Sequence, residues 1–210
     1  MTTTRFCIIR HGETDWNVQR RIQGQVDVPL NAEGREQAVR AARGLAGHRF
    51  AAVYSSDLTR TLDTATALAA TLGLTVRSEP GLRERHYGLL QGKTADEMAR
   101  QIPELHVRYV MRDLDHDFGG GECLRRFARR IDGTLDRLAR RHVGQSVLLV
   151  THGGALDVIY RGLVGRSLLG ARDFPVPNAA LNWIEVRGAD RRLVAWADTR
   201  HLHTALDEAA

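Results

Sequence analysis

The feature that most constrains the fold of this chain is the alternation of short apolar runs with longer segments of helical periodicity. Phe6–Ile9, Phe50–Tyr54 and Val147–Val150 are short and apolar, which is typical of strands buried on both faces. Leu58–Leu72 and Glu122–Arg141 have the composition and apolar spacing of helices. The alternation predicts an α/β fold, a three-layer α/β/α sandwich with a mostly parallel central sheet.

The remaining segments fit the same architecture. Asn31 is a favourable N-cap for a helix that follows it. Thr94 and Glu97 form a capping box that opens a short helix ending near Pro103. The other predicted elements are a third strand at Leu74–Val76, a helix at Ala155–Val164, and a hairpin of Leu181–Val186 with Leu193–Trp196.

The chain is predicted to form a single domain over residues 1–210, because a chain of this length that is 43% hydrophobic suits one core. Residues 93–121 are predicted to be a helical and loop insertion that acts as a lid, with a Gly-rich loop at 113–121. Two distant cysteines, Cys7 and Cys123, favour a reducing cytoplasm over a disulfide framework. The apolar run at Phe6–Ile9 is too short for a signal-peptide core, and no run is long enough to cross a membrane.

The net charge of +5 comes from 30 basic and 25 acidic residues. The arginines are scattered along helices without an aromatic platform, so we predict no nucleic-acid partner but a positive field that attracts small anionic substrates. No metal site is predicted. Asp113, Asp115 and Asp117 alternate as in a calcium-binding loop, but Phe118 and Leu124 occupy the positions that need Gly and Glu.

Polar segments follow three of the predicted strands. They are Arg10–Gly12, Ser55–Asp57 and Thr151–Gly154. Because ligands of such sheets bind beyond the carboxyl ends of the strands, we expect the three segments to share one crevice.

The residue types in these segments suit a phosphoryl group. Arg10 offers a planar fork of donors, and His11 offers a neutral nitrogen that can attack phosphorus if its other nitrogen is held as a donor. For both side chains to face one ligand, the strand has to end just before them. Taken singly, each residue has a plainer interpretation: a solvated strand end for Arg10 and His11, a structural histidine for His152, and a surface arginine for Arg60.

Five segments together resemble the histidine phosphatase superfamily, the phosphoglycerate mutase-like enzymes. The family's order and approximate spacing are matched from about Arg5 to Asn182 by these segments: Arg10–Asn17, Gln23–Leu30, Ser55–Ala65, Leu82–Gly88 and Val150–Gly154. The resemblance implies that His11 is a nucleophile that becomes phosphohistidine and that Glu84 is the general acid. It also implies a phosphate-binding set consisting of Arg10, Arg60 and His152 with Asn17, Gln23, Gly24, Tyr87 and Gly153.

The family contains both phosphatases and mutases, and the resemblance leaves both open. Only 26 residues separate Gly92 from Gly119, and the Trp-Arg-Arg run with which the mutases grip a second phosphate is missing. Arg83, Arg85 and Arg112 remain as candidates for that role. We therefore predict a metal-independent phosphomonoesterase acting on small phosphorylated metabolites, with a 2,3-bisphosphoglycerate-dependent phosphoglycerate mutase as the alternative. No cofactor is expected unless the protein is a mutase, and a dimer is compatible with the sequence, which does not fix the oligomeric state.

Overall fold

The computed structural model describes residues 2–203, in which one six-stranded sheet has the order β3-β2-β4-β1-β5-β6. Strands β3, β2, β4 and β1 run parallel to one another, whereas β5 is antiparallel to both β1 and β6. The strands are β1 Thr4–Arg10, β2 Ala52–Ser55, β3 Val76–Ser78, β4 Ser146–Thr151, β5 Leu181–Arg187 and β6 Asp190–Asp198.

Eight α-helices and two 3₁₀ turns connect the strands within the described residues. The helices are α1 Asp15–Val18, α2 Ala32–Gly44, α3 Thr59–Leu72, α4 Ala95–Gln101, α5 Pro103–Val110, α6 Leu124–Arg141, α7 Gly153–Leu163 and α8 Arg200–His203. The 3₁₀ turns are Pro80–Leu82 and Gly88–Leu90.

Alternate side chains of β1 and β4 enter two different cores, because successive residues of a strand point to opposite faces. Phe6 and Ile8 belong to a cluster with α6 and α7, whereas Cys7 and Ile9 belong to a cluster with α2 and α3. All four residues are fully buried. The sheet is therefore covered on both sides, and the predicted three-layer α/β/α fold with a mostly parallel sheet is confirmed.

The structure corrects the sequence interpretation at three places. Strand β1 continues through Arg10, which pairs with Thr151, so it does not end before the Arg-His pair. Strand β3 lies two residues later than predicted, at Val76–Ser78. Helix α4 ends at Gln101, as predicted close to Pro103, but the sequence predicts no helix directly after it. The chain turns at Ile102 and starts α5, with Pro103 in the first turn where its missing N–H costs nothing.

The segment predicted to be a lid has a small core of its own. Leu90, Met98 and Phe118 are buried together, with Ile102 and Tyr109 packed against them. Phe118 belongs to the Gly-rich loop but is fully buried, and its carbonyl oxygen accepts a 2.8 Å hydrogen bond from the Leu89 amide. This small core positions α5 over one side of the site described next.

Candidate active site

The three polar segments that follow β1, β2 and β4 lie at one end of the sheet, but they do not all share one crevice as expected. A cavity of about 450 Å³ opens at this end. Residues of Arg10–Gly12 and Thr151–Gly154 line the cavity, whereas Ser55–Asp57 does not, and Ser56 instead contacts His152 at 2.9 Å. Arg10 and His11 line it from the end of β1, Arg60 from the first turn of α3, and Gly153 from the first turn of α7.

The turn after β1 is held by close backbone packing against α2. A side chain on Gly12 would place its Cβ 2.2 Å from the Gly34 carbonyl oxygen, and one on Gly34 would approach the Glu13 carbonyl oxygen to 2.0 Å. Asn31 caps α2 through a 2.8 Å bond from the Gly34 amide, and its own amide donates to Glu13. These contacts leave the His11–Gly12 peptide little freedom.

His11 is held as a neutral imidazole with one unprotonated nitrogen. Its Nδ1 lies 2.7 Å from the Gly12 carbonyl oxygen, which can only accept, so Nδ1 carries the proton and Nε2 keeps its lone pair. The side chain is almost completely buried. Burial, reinforced by the charges of Arg60 and Arg10, holds the pKa of His11 well below its usual value. Burial lowers this pKa more than the arginine charges do.

Arg10 and Arg60 are held in place by backbone oxygens rather than by carboxylates. Arg10 Nη1 donates to the Val176 carbonyl at 2.8 Å, and the Arg60 Nη atoms donate to the carbonyls of Val26 and Gly24 at 2.9 and 2.7 Å. Burial lowers the pKa of each arginine to about 10, so both remain charged at neutral pH. The guanidinium groups of buried Arg60 and half-buried Arg10 form no ion pair with a carboxylate of the described residues, which makes the site strongly attractive to an anion.

Unsatisfied polar atoms mark where such an anion fits. Among the described residues, four buried side-chain nitrogen or oxygen atoms have no hydrogen-bond partner: Arg10 Nε, Gln23 Oε1, Arg60 Nε and His152 Nδ1. All four belong to residues predicted to hold the phosphoryl group. Buried polar atoms without partners are costly, and a bound oxyanion would supply acceptors for the nitrogens.

Glu84 lies on the same cavity wall. Its carboxylate accepts hydrogen bonds of 2.7 Å from the amides of Arg85 and Gly154. Burial raises the pKa of Glu84, and the two amide bonds and the charges of Arg60 and Arg10 limit that rise. A side chain at Gly154 would approach the Glu84 carboxylate to 2.3 Å, so glycine is needed for this contact.

The other predicted binding residues also lie on the cavity wall. Asn17 and Gln23 line it with Gly24 and Tyr87. The Asn17 amide oxygen caps α1 by accepting from the backbone amide of Thr14, which leaves the amide nitrogen for a ligand. Gly24 has a φ of +56°, which glycine adopts without strain, and its carbonyl oxygen holds Arg60.

His152 is the one predicted residue that does not line the cavity. It is fully buried behind His11, with the two ring centroids 5.3 Å apart. Burial lowers the pKa of His152 well below its usual value, and the charge of Arg60 acts in the same direction.

Two arginines differ from the sequence predictions: Arg172 lines the cavity without having been predicted, and Arg83 does not line it. Arg172, from the loop before β5, lines the cavity with Arg85, Tyr109 and Arg112. No motif marks Arg172, although its charge also depresses the pKa of Arg10. Arg83, considered for a second phosphate, does not line the cavity and pairs instead with Asp57.

Within residues 2–203, no helix has the length and apolar character needed to cross a membrane. The same residues contain no cluster of three or more His, Cys, Asp or Glu side chains arranged to hold a metal ion.

Comparison with known proteins identifies relatives along almost the whole chain. Residues 6–199 match the histidine phosphatase superfamily (branch 1). The metal-independent phosphoserine phosphatase of Arabidopsis thaliana is 39% identical over 202 residues, which cover 95% of this chain and 83% of the relative. Phosphoglycerate mutase-like protein 4 of the same plant is 38% identical over 200 residues, with coverages of 93% and 85%.

The fold agrees with that of a solved relative. A phosphoserine phosphatase from Entamoeba histolytica, crystallised in complex with 3-phosphoglyceric acid, matches with a TM-score of 0.84 at 26% identity. The match covers 95% of this chain and 99% of that chain.

Proposed function

This chain belongs to the histidine phosphatase superfamily, and we propose that it hydrolyses small phosphomonoesters through a phosphohistidine intermediate at His11, without a metal ion. The observation that carries the proposal is the state of His11. Its Nδ1 proton is held by the Gly12 carbonyl, its Nε2 keeps a lone pair, and it lines one cavity with Arg10 and Arg60, neither of which forms an ion pair with a carboxylate within residues 2–203.

The reaction consists of two successive transfers of one phosphoryl group. In the first, the lone pair of His11 Nε2 bonds to phosphorus while the P–O bond to the alcohol breaks, and Glu84 gives its proton to the leaving oxygen. In the second, water attacks the phosphohistidine and Glu84 takes a proton from that water. The P–N bond breaks, phosphate leaves, and both residues return to their starting states.

The charge that develops on the phosphoryl oxygens is stabilised by the protein's own cations. Arg10 and Arg60 are held by fixed backbone carbonyls, so they need no rearrangement as the transition state forms. A phosphatase that relies on two metal ions takes the same stabilisation from those ions. The arginines therefore support a mechanism that needs neither a metal nor another cofactor.

The substrate is proposed to be a small phosphorylated metabolite that carries a second negative charge. Arg85 and Arg172 add positive charge to the cavity beyond the two arginines at the phosphoryl group. Two relatives are named as phosphoserine phosphatases, and one of them was crystallised in complex with 3-phosphoglyceric acid, which is a compound of this kind. We propose no nucleic-acid or membrane partner, and the two free buried cysteines, Cys7 and Cys123, support a reducing cytoplasm.

A mutase is the second candidate, because a relative of similar identity is named as mutase-like. Arg85 and Arg112 line the cavity and could meet a second phosphate. Arg112, however, is already engaged, since its guanidinium donates to the Leu168 carbonyl and to the Asp157 carboxylate. This pairing weakens its grip on a second phosphate and favours hydrolysis.

Phosphate release from phosphoserine, 3-phosphoglycerate and p-nitrophenyl phosphate tests the proposal. We expect release with at least one ester, unchanged after exhaustive chelation, and inhibition by vanadate. No release from any monoester, or a loss on chelation that a divalent ion restores, would contradict it. Rapid interconversion of 3- and 2-phosphoglycerate, stimulated by 2,3-bisphosphoglycerate with negligible phosphate release, would favour the mutase.

A further inference from the structure

His152 and His11 are hydrogen-bonded through different ring nitrogens. His152 Nε2 lies 2.9 Å from the Ser56 hydroxyl oxygen, whereas its Nδ1 has no partner among the described residues. Both side chains are fully buried. Because burial and the nearby arginines keep His152 neutral, only one of its nitrogens carries a proton, and the choice decides what His152 can bind.

Counting donors and acceptors selects one of the two tautomers. The Leu58 amide donates to the Ser56 hydroxyl oxygen at 3.4 Å, and no other acceptor for the Ser56 hydroxyl proton lies within hydrogen-bond range among the described residues. If Ser56 donates to His152 Nε2, one donor, Nδ1–H, is left over. If Nε2 carried the proton instead, the Ser56 hydroxyl proton and the Nδ1 lone pair would both be unpaired. The first arrangement leaves fewer buried groups unsatisfied.

We propose that Ser56 is a positioning residue that fixes His152 as the Nδ1–H tautomer, so that Nδ1 donates a hydrogen bond to the transferring phosphoryl group. The inference rests on the proposed function, because a phosphoryl group has to be the acceptor. It gives the two neighbouring histidines opposite tautomers for opposite tasks. The Gly12 carbonyl leaves His11 a lone pair for attack, and the Ser56 hydroxyl leaves His152 a proton for binding.

The surroundings of His152 support an acceptor at that place. The unpaired Nδ1 belongs to the same set as the unpaired Nε atoms of Arg10 and Arg60. The His152 ring also lies edge-to-face against the ring of His11, with 5.3 Å between their centroids. One oxyanion next to His11 could then satisfy all three donors.

The decisive measurement is the tautomer of His152, read from side-chain ¹⁵N chemical shifts of the ¹⁵N-histidine-labelled protein. We expect Nδ1 protonated and Nε2 unprotonated at neutral pH, and a stronger Nδ1–H hydrogen bond when vanadate binds. This readout needs no turnover, so it separates the inference from the proposed function. Lack of vanadate binding would count against the proposed function, and a wild-type His152 protonated at Nε2 would overturn the Ser56 inference.

Ser56→Ala tests whether the Ser56 hydroxyl sets the tautomer of His152. Without the hydroxyl, both tautomers become populated, and we expect vanadate to bind about fivefold more weakly because it must select the minority form. Ser55→Ala is the matched control. It removes a buried hydroxyl that donates to the Ser56 carbonyl at 2.7 Å on the same turn, but it does not touch His152. Unchanged tautomer and vanadate affinity in folded Ser56→Ala, or equal losses in Ser55→Ala, would contradict the role.

Discussion

Thr64 connects the turn at His11–Gly12 to helix α3, which carries Arg60. Thr64→Val should break this connection while keeping the shape of the side chain. The Thr64 hydroxyl accepts the Gly12 amide at 3.0 Å and donates to the Arg60 carbonyl at 2.7 Å. Thr64 is fully buried. The carbonyl of Gly12, in the next peptide unit, accepts the Nδ1 proton of His11.

The size of the effect follows from these two bonds. The Arg60 carbonyl loses the hydrogen bond from the Thr64 hydroxyl but keeps its amide partner within the helix, so losing this bond costs little. The buried Gly12 N–H is left without an acceptor, which costs about 1–3 kcal/mol of unfolding free energy. Any movement of Gly12 also shifts the carbonyl that orients His11, and small misplacements of reacting groups lower rates strongly, so we expect kcat to fall about tenfold to a hundredfold.

The assay compares urea denaturation and p-nitrophenyl phosphate turnover in three variants. Thr66→Val is the matched control. The Thr66 hydroxyl donates to the Leu62 carbonyl of the same helix at 2.8 Å, but Thr66 is exposed and its hydroxyl does not bond to Gly12. Thr64→Ser, which restores the hydroxyl, should recover most of the activity. If Thr64→Val matched Thr66→Val in stability and kcat, the proposed coupling between Thr64 and His11 would be wrong.

Two further predictions concern proton transfer. Glu84→Gln cannot protonate a leaving group, so hydrolysis of an alkyl phosphate should fall about a hundredfold or more, while a nitrophenyl ester should lose much less. Equal losses would assign Glu84 to binding or folding. His11 and His152 have depressed pKa values, so the unfolded chain binds protons that the folded protein does not. The unfolding free energy should therefore be highest above about pH 6.5, where both histidines are neutral in the folded and the unfolded chain. Below that pH it should decrease by up to about 1.4 kcal/mol per pH unit for each histidine. Urea titrations of wild type and His152→Gln measure this slope, and equal slopes would contradict the assignment to His152.

The sequence was sufficient for the fold class because the strands are short, apolar and separated by clear helices. The parallel order brings the ends of β1 and β4 together, which is why Arg10, His11 and Gly153 could be predicted to share a crevice. The family assigned from the five motifs is confirmed by the match over residues 6–199.

The remaining features depend on tertiary contacts that have no local signal. Helix α5 was missed because Pro103 is typical of a helix end as well as of a helix start. Arg172 lies in a loop without regular periodicity, so only the fold brings it to the cavity. The burial of His152 and its bond to Ser56 join residues that are 96 positions apart in the chain.

The central claim is that His11 carries the phosphoryl group, and isolation of the phosphoenzyme tests it most directly. Trypsin releases His11–Arg20, a peptide in which His11 is the only histidine. Rapid quenching during turnover, followed by digestion at alkaline pH and mass spectrometry, should find one acid-labile phosphoryl group on this peptide in wild type and none in His11→Ala. A phosphoryl group on another peptide, or turnover in His11→Ala close to that of wild type with the fold intact, would contradict the account.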